Sequence, residues 1–125
     1  MLKYFALTLL LSAPLSAEIY ELRTYTANDG KLESLLTRFR EHTTTIFESH
    51  GIKNVGYWLT EGEGDARKLV YLVTHKDRET AKSNWKAFRA DPKWQSAYKA
   101  SITDGKLVKK ITSEYLTPTD FSSLK

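Results

Sequence analysis

Two periods run through the chain. Across "IYELRTYT" (residues 19–26) positions alternate, with Tyr20, Leu22 and Thr24 on one side of an extended segment and Glu21, Arg23 and Tyr25 on the other, which predicts a strand. From Leu32 the apolar spacing lengthens to about 3.6 residues, as a helix requires. Leu32, Leu35, Leu36, Phe39, Ile46 and Phe47 fall on one stripe. Asn28-Asp29-Gly30 supplies the turn before this helix. His50 and Gly51 close it: glycine suits the left-handed C-terminal position, Ile52 can pack back on the last turn, and a histidine there can bond the final carbonyls.

"IKNVGYWLT" and "LVYLVTH" predict second and third strands, joined as a hairpin by "EGEGD". Asp77 can cap a further helix that turns Ala81, Trp85 and Phe88 inward. Asp91-Pro92 restarts it, since proline fits a first helical turn, and Trp94, Ala97, Tyr98 and Ser101 continue the inner face. "KLVKKITSEYL" is the fourth strand. The tail "PTDFSSLK" is expected to lie on the surface, held by Phe121.

The order βαββαβ is the split βαβ or ferredoxin-like arrangement, an α+β fold whose first and third strands are central. The third strand is apolar on both sides, Leu69, Tyr71 and Val73 against Val70 and Leu72. A strand of that kind is covered on both faces, yet the helices cover only one. A second copy of the chain is the expected cover for the other, hence a homodimer.

Composition changes the picture at the N-terminus. Lys3, the apolar run Tyr4–Leu15 and the small residues Ser16 and Ala17 read as a signal peptide over residues 1–17, cut between Ala17 and Glu18. The run is shorter than the roughly 20 residues that cross a bilayer, so no stable membrane anchor is expected. The folded domain is then residues 18–125, periplasmic or extracellular. The chain has no cysteine, so it has no disulfides to reinforce burial and no site for lipid attachment. The formal net charge of +4 is dispersed except at Lys106, Lys109 and Lys110. That cluster reads as a solvated face rather than a nucleic-acid or lipid patch.

"YELRTYT", "GKLESLL", "HGIKNVGYW", "VYL", "DPKWQ" and "YLTPTDFSSL" together resemble the NIPSNAP family across essentially all of residues 18–125. The resemblance implies a dimeric α+β barrel, in which two ferredoxin-like sheets share one barrel. It implies no reaction: eukaryotic members are linked to mitochondria and membrane traffic, and exported bacterial members have no settled activity. Two departures bear on any cavity. Where the family often has an Asn before the third strand and a Trp with an aromatic near its end, this chain has Ala66-Arg67-Lys68 and Val73-Thr74-His75.

Glu21 and Arg23 lie on one face of a central strand, where a charge must be paired. They read first as a structural ion pair, within the chain or across the dimer, and second as an anion-binding Arg23 held by Glu21. A candidate ligand pocket gathers Arg23, Tyr25, His42, Trp58 and Tyr71, with His42 at the edge of the helical stripe. Tyr57 and Trp58 must face opposite ways, and His75, at a strand end, is expected to be exposed. Trp85, Phe88 and Trp94 read as core.

No metal or cofactor is expected, because the sequence contains no Gly-rich phosphate loop, paired-His helix or thiolate. Haem is disfavoured because residues 77–101, where haem-degrading relatives of the dimeric barrel carry their ligand, contain no His. The RNA-recognition motif shares this element order, but "RKLVYLVTH" lacks its glycine and aromatic alternation. Two functions remain open: a dimer that binds a small apolar or anionic ligand or serves as a scaffold, and a cofactor-independent monooxygenase-like enzyme with its substrate between helices and sheet.

Overall fold

The computed structural model describes residues 18–125, so the expected signal peptide, Ala17 included, lies outside the described residues. Strand β1 (Ile19–Ala27) leads to helix α1 (Leu32–Arg38), which runs through a π-helical turn (Phe39–Thr43) into α2 (Thr44–Ser49). β2 (Lys53–Leu59) and β3 (Leu69–His75) form the hairpin. Helices α3 (Arg78–Ala90) and α4 (Pro92–Ser101) follow, and β4 (Val108–Leu116) completes the sheet.

The antiparallel sheet has the order β2-β3-β1-β4, the ferredoxin-like arrangement with β1 and β3 central. Glu21 is opposite Val73, Arg23 opposite Tyr71 and Tyr25 opposite Leu69. These residues therefore share the helix-covered face. The core fills the space above them with Leu32, Leu35, Phe39 and Phe47 from the first helical unit and Trp85 and Phe88 from α3. The rings meet edge to face, Phe47 on Trp85 at 5.2 Å and Phe39 on Tyr25 at 5.4 Å, the arrangement that aromatic quadrupoles favour.

The helix ends follow their sequence signals. Asp77 accepts from the Thr80 amide at 2.7 Å, and Asp91 from the Lys93 amide at 2.8 Å ahead of Pro92. Gly51 sits at φ +75°, and the Ile52 amide reaches back to the Phe47 carbonyl at 3.0 Å. A Cβ at Gly51 would also come within 2.9 Å of Asn84 Nδ2.

The first helical unit departs from a regular α-helix in its middle. The Thr43 hydroxyl donates to the Arg38 carbonyl at 3.2 Å and the Thr44 hydroxyl to the Phe39 carbonyl at 3.1 Å, each spanning five residues. Such single π turns inside α-helices are rare and recur at functional sites. Thr43, eleven residues after Leu32 and so about 20° from it around the helix, is buried, and His42, about 80° off that line, is exposed. Arg38, just before this turn, is buried.

The other sheet face carries Leu22, Val70 and Leu72, all half-buried, and Trp58, 54% exposed. The Trp58 ring lies over Gly56, where a Cβ would meet it at 2.5 Å. The chain's own tail covers one end of this face. Pro118 and Leu124 border a shallow depression with Tyr20, Leu72 and Leu116, and Tyr20 is buried. Phe121 does not hold the tail, being 85% exposed.

Candidate functional site

Two arrangements occupy the space between sheet and helices, and Tyr25 belongs to both. The first centres on Glu21, which is fully buried. Its Oε2 accepts from Arg23 Nη1 at 2.7 Å and from the Ser113 hydroxyl at 2.6 Å. Its Oε1 accepts from His75 Nε2 and Trp85 Nε1, both at 2.8 Å. Burial alone would push this carboxyl up, but the donors from His75, Ser113, Arg23 and Trp85 overcome it and hold the pKa at about 2. Arg23 completes the cluster, with Nε donating to the Tyr71 hydroxyl at 2.9 Å and Nη2 to the Tyr25 hydroxyl at 3.2 Å. The guanidinium stands 4.5 Å from the Trp85 ring centre. Burial works against its charge, but Tyr71, Tyr25 and Glu21 outweigh it and keep its pKa above the usual range. These contacts tie β1, β3, β4 and α3 together.

The second arrangement is a cavity of about 390 Å³ on the β4 side. Phe39, Phe47, Phe88 and Trp94 make its apolar walls, and the exposed Lys106, Lys109 and Lys110 line its mouth. The lysine cluster expected to be a solvated face is thus also the rim of a cavity. Arg38 projects into the wall from the start of the π turn and is 5% exposed. Its Nη1 donates to the Ser101 hydroxyl at 3.1 Å, and its guanidinium lies 5.2 Å from the Trp94 ring centre and 5.3 Å from that of Tyr98. Burial pushes its pKa down, with only the nearby Tyr25, Tyr98 and Tyr71 opposing. An arginine nonetheless stays charged at any working pH.

The structure brings together three of the five expected pocket residues, Arg23, Tyr25 and Tyr71. Trp58 is on the opposite sheet face, as strand alternation requires once Tyr57 stacks on Tyr71 at 4.9 Å. His42 borders a shallow outer groove beside Glu41 and Ala97, because helical spacing sets it about 80° from Leu32 and gives the stripe to Thr43. The Glu21–Arg23 pair closes within the chain at 2.7 Å rather than across a dimer.

His50 ends α2 beside Gly51, but its ring bonds Asp91 Oδ2 at 2.7 Å instead of the last carbonyls. That link fastens the end of α2 to the α3–α4 corner. His75 is fully buried, contrary to the expectation of exposure, because it continues the inward parity of Tyr71 and Val73 and meets Glu21. Sequence reasoning also passed over Arg38 and Ser113 as site residues. Arg38 stands three residues after Leu35 on the apolar stripe, a signal that was available.

No described helix is long and apolar enough to cross a membrane. Among the described residues no group of His, Asp and Glu could hold a metal ion.

A four-stranded antiparallel sheet with helices on one face, enclosing an aromatic cavity at one edge, defines a ferredoxin-like α+β domain. The NIPSNAP family profile matches residues 20–123, and the chain belongs to that family. A NIPSNAP family protein of unknown function from Agrobacterium tumefaciens is similar at 25% identity and a TM-score of 0.74, over 88% of this chain and 96% of that one. An uncharacterised NIPSNAP-like domain protein from Burkholderia xenovorans is similar at 22% identity and a TM-score of 0.71, over 86% of this chain and 90% of that one. More distantly, a putative antibiotic biosynthesis monooxygenase from Chloroflexus aurantiacus shares the fold at 13% identity and a TM-score of 0.54, over 87% of this chain and all (100%) of that one. No curated protein sequence matches this chain.

Proposed function

We propose that this NIPSNAP domain is an exported homodimer that binds a small organic molecule between its helices and sheet. The observation that carries the reading is the aromatic cavity beside β4. At about 390 Å³ it falls within the roughly 300–1,000 Å³ of small-molecule sites. Its lining combines apolar rings with a few polar groups, the usual composition of such sites. Export is supported by the charged, apolar and small-residue order of residues 1–17. Dimerisation is supported by the helix-free sheet face, where Trp58 and Leu116 are exposed beside Val70 and Leu72.

The monooxygenase-like alternative shares the cavity, but the lining favours binding over chemistry. Among the described residues that line it, tyrosines and cations are present and no carboxylate or imidazole stands ready as a base.

Native mass spectrometry of the protein recovered from the periplasm of a Gram-negative host tests all three parts at once. The expected result is a chain beginning at Glu18, a dimer mass, and a small molecule retained by that dimer or taken up from a mixed metabolite extract. An uncleaved chain overturns export. A monomer overturns the dimer, and an empty protein that takes up nothing leaves a scaffold role in place of binding.

A further inference from the structure

The two arginines on the helix side of the sheet, Arg23 half-buried and Arg38 buried, are compensated very differently. Arg23 has a carboxylate at 2.7 Å and all three of its nitrogens bonded. Arg38 is the more deeply buried of the two in its own cavity wall, at 5% exposure, and among the described residues it has no carboxylate within ion-pairing distance. Residues 1–17 contain no acidic side chain that could serve. Its Nε is buried with no hydrogen-bond partner. Burying a guanidinium with neither counter-charge nor full hydrogen bonding is costly, and native proteins rarely leave such a group without a reason.

The structural reason to weigh first is a clamp on α4. Arg38 Nη1 bonds Ser101, the last residue of that helix, whose carbonyl end attracts cations. The clamp uses one nitrogen of three and leaves Nε idle. The rings of Trp94 and Tyr98 contribute cation–π attraction, yet they neutralise no charge. On its Ser101 side Arg38 borders an outer groove shared with Glu33, Glu41 and Asp104, none of them within ion-pairing distance. On its other side it borders the aromatic cavity, whose described lining holds no negative acceptor for it. The cavity mouth repeats the theme, being lined by Lys106, Lys109 and Lys110, which raise the local concentration of anions.

On the reading that this cavity binds a small molecule, we propose that its ligand is an amphipathic organic anion. One carboxylate or phosphate sits on Arg38, and a planar or short apolar body lies among Phe39, Phe88 and Trp94. A planar guanidinium suits either head group, since both accept from it in bidentate fashion. The apolar body would cover the ring faces that form the walls.

Tryptophan fluorescence, which Trp94 reports from the cavity wall, and calorimetry follow titration of the purified dimer with phenylacetate, phenyl phosphate and the neutral 2-phenylethanol. Charged hydrogen bonds to a buried guanidinium predict that at least one anion binds about tenfold or more tighter than the alcohol. The tighter of the two anions identifies the head group. Arg38→Met is expected to abolish that preference while changing the alcohol's affinity by no more than about twofold. Equal affinities for anions and alcohol overturn the anion assignment and leave the cavity reading intact. Failure of all three probes to bind overturns both. Retention of the preference in Arg38→Met overturns the role of Arg38. The comparison of probes uses wild-type protein, so it decides the assignment even where the Arg38→Met chain does not fold.

Discussion

Glu21 and Arg23, two residues apart on β1, meet at 2.7 Å beneath the helices. Removing the carboxylate strands a buried cation and leaves the donors of His75, Trp85 and Ser113 without their acceptor. Glu21→Ala should therefore cost about 3–5 kcal/mol. Urea unfolding at fixed protein concentration would show it as a lower midpoint with little change of slope.

The same carboxylate sets an acid limit on stability. Its pKa is about 2 in the fold against an ordinary 4.5, so the folded state prefers the ionised form. The associated stability is full above pH 4.5 and is lost as the pH falls from there towards 2. Roughly 2–3 kcal/mol should disappear over that interval. In Glu21→Gln this part of the pH dependence should vanish, which a series of chemical denaturations between pH 2 and 6 would reveal.

The two arginines should respond very unequally to loss of charge. Arg23→Met leaves Glu21 buried and unpaired and should cost about 3–5 kcal/mol. Arg38→Met deletes a cation that has no counter-ion, so the cost of one Ser101 hydrogen bond and two ring contacts is offset by the relief of desolvation. A net change within about 1 kcal/mol of zero is expected without ligand. Thermal unfolding of both variants side by side checks the contrast.

At the end of α2 the backbone itself is the constraint. Gly51→Ala puts a side chain at φ +75° and 2.9 Å from Asn84 Nδ2. It should lower stability by about 1–2 kcal/mol. If the Asn84→Ala background reduces the penalty only slightly, the backbone conformation rather than the contact is its source.

The helix-free sheet face is tested by charge. Trp58, 54% exposed on that face, makes no hydrogen bond from its indole nitrogen within the described chain, and Trp58→Lys should leave the monomer's circular dichroism unchanged. In sedimentation velocity at micromolar concentration the variant should run as a monomer where the wild type runs as a dimer. An unshifted dimer would place the interface elsewhere.

The strand and helix order was legible because both faces of each element are marked. Alternation fixes Tyr20 and Leu22 against Glu21 and Arg23, while Asp77, Asp91 and Gly51 punctuate the helices. The site was legible only where it obeys those periods, as Tyr25 and Tyr71 do. His42 was misjudged because a threonine does not read as core: helical spacing gives the inward position between Phe39 and Ile46 to Thr43, whose hydroxyl is satisfied by the Arg38 carbonyl five residues back. His75 was misjudged for a different reason. Its parity with Tyr71 and Val73 pointed inward, but the end of a strand is so often solvent-exposed that position outweighed parity. Arg38 shows a limit of another sort, since a charged residue on a helical stripe reads as boundary until its missing partner can be seen.

The two outer strands decide how this sheet can grow. β4 carries Lys109, Lys110 and Glu114, and its pairing with β1 slips between Thr26 and Ala27. β2 slips against β3 between Asn54 and Gly56. Lysines and bulges on border strands discourage another strand from adding on. Lateral addition is open-ended, because each new strand presents a fresh border, whereas stacking of broad faces is self-limiting, because one partner consumes the surface. With blunted borders and its apolar area on a face, the chain is poorly suited to the open-ended route that leads to fibres, and any pairing through that face would be self-limiting.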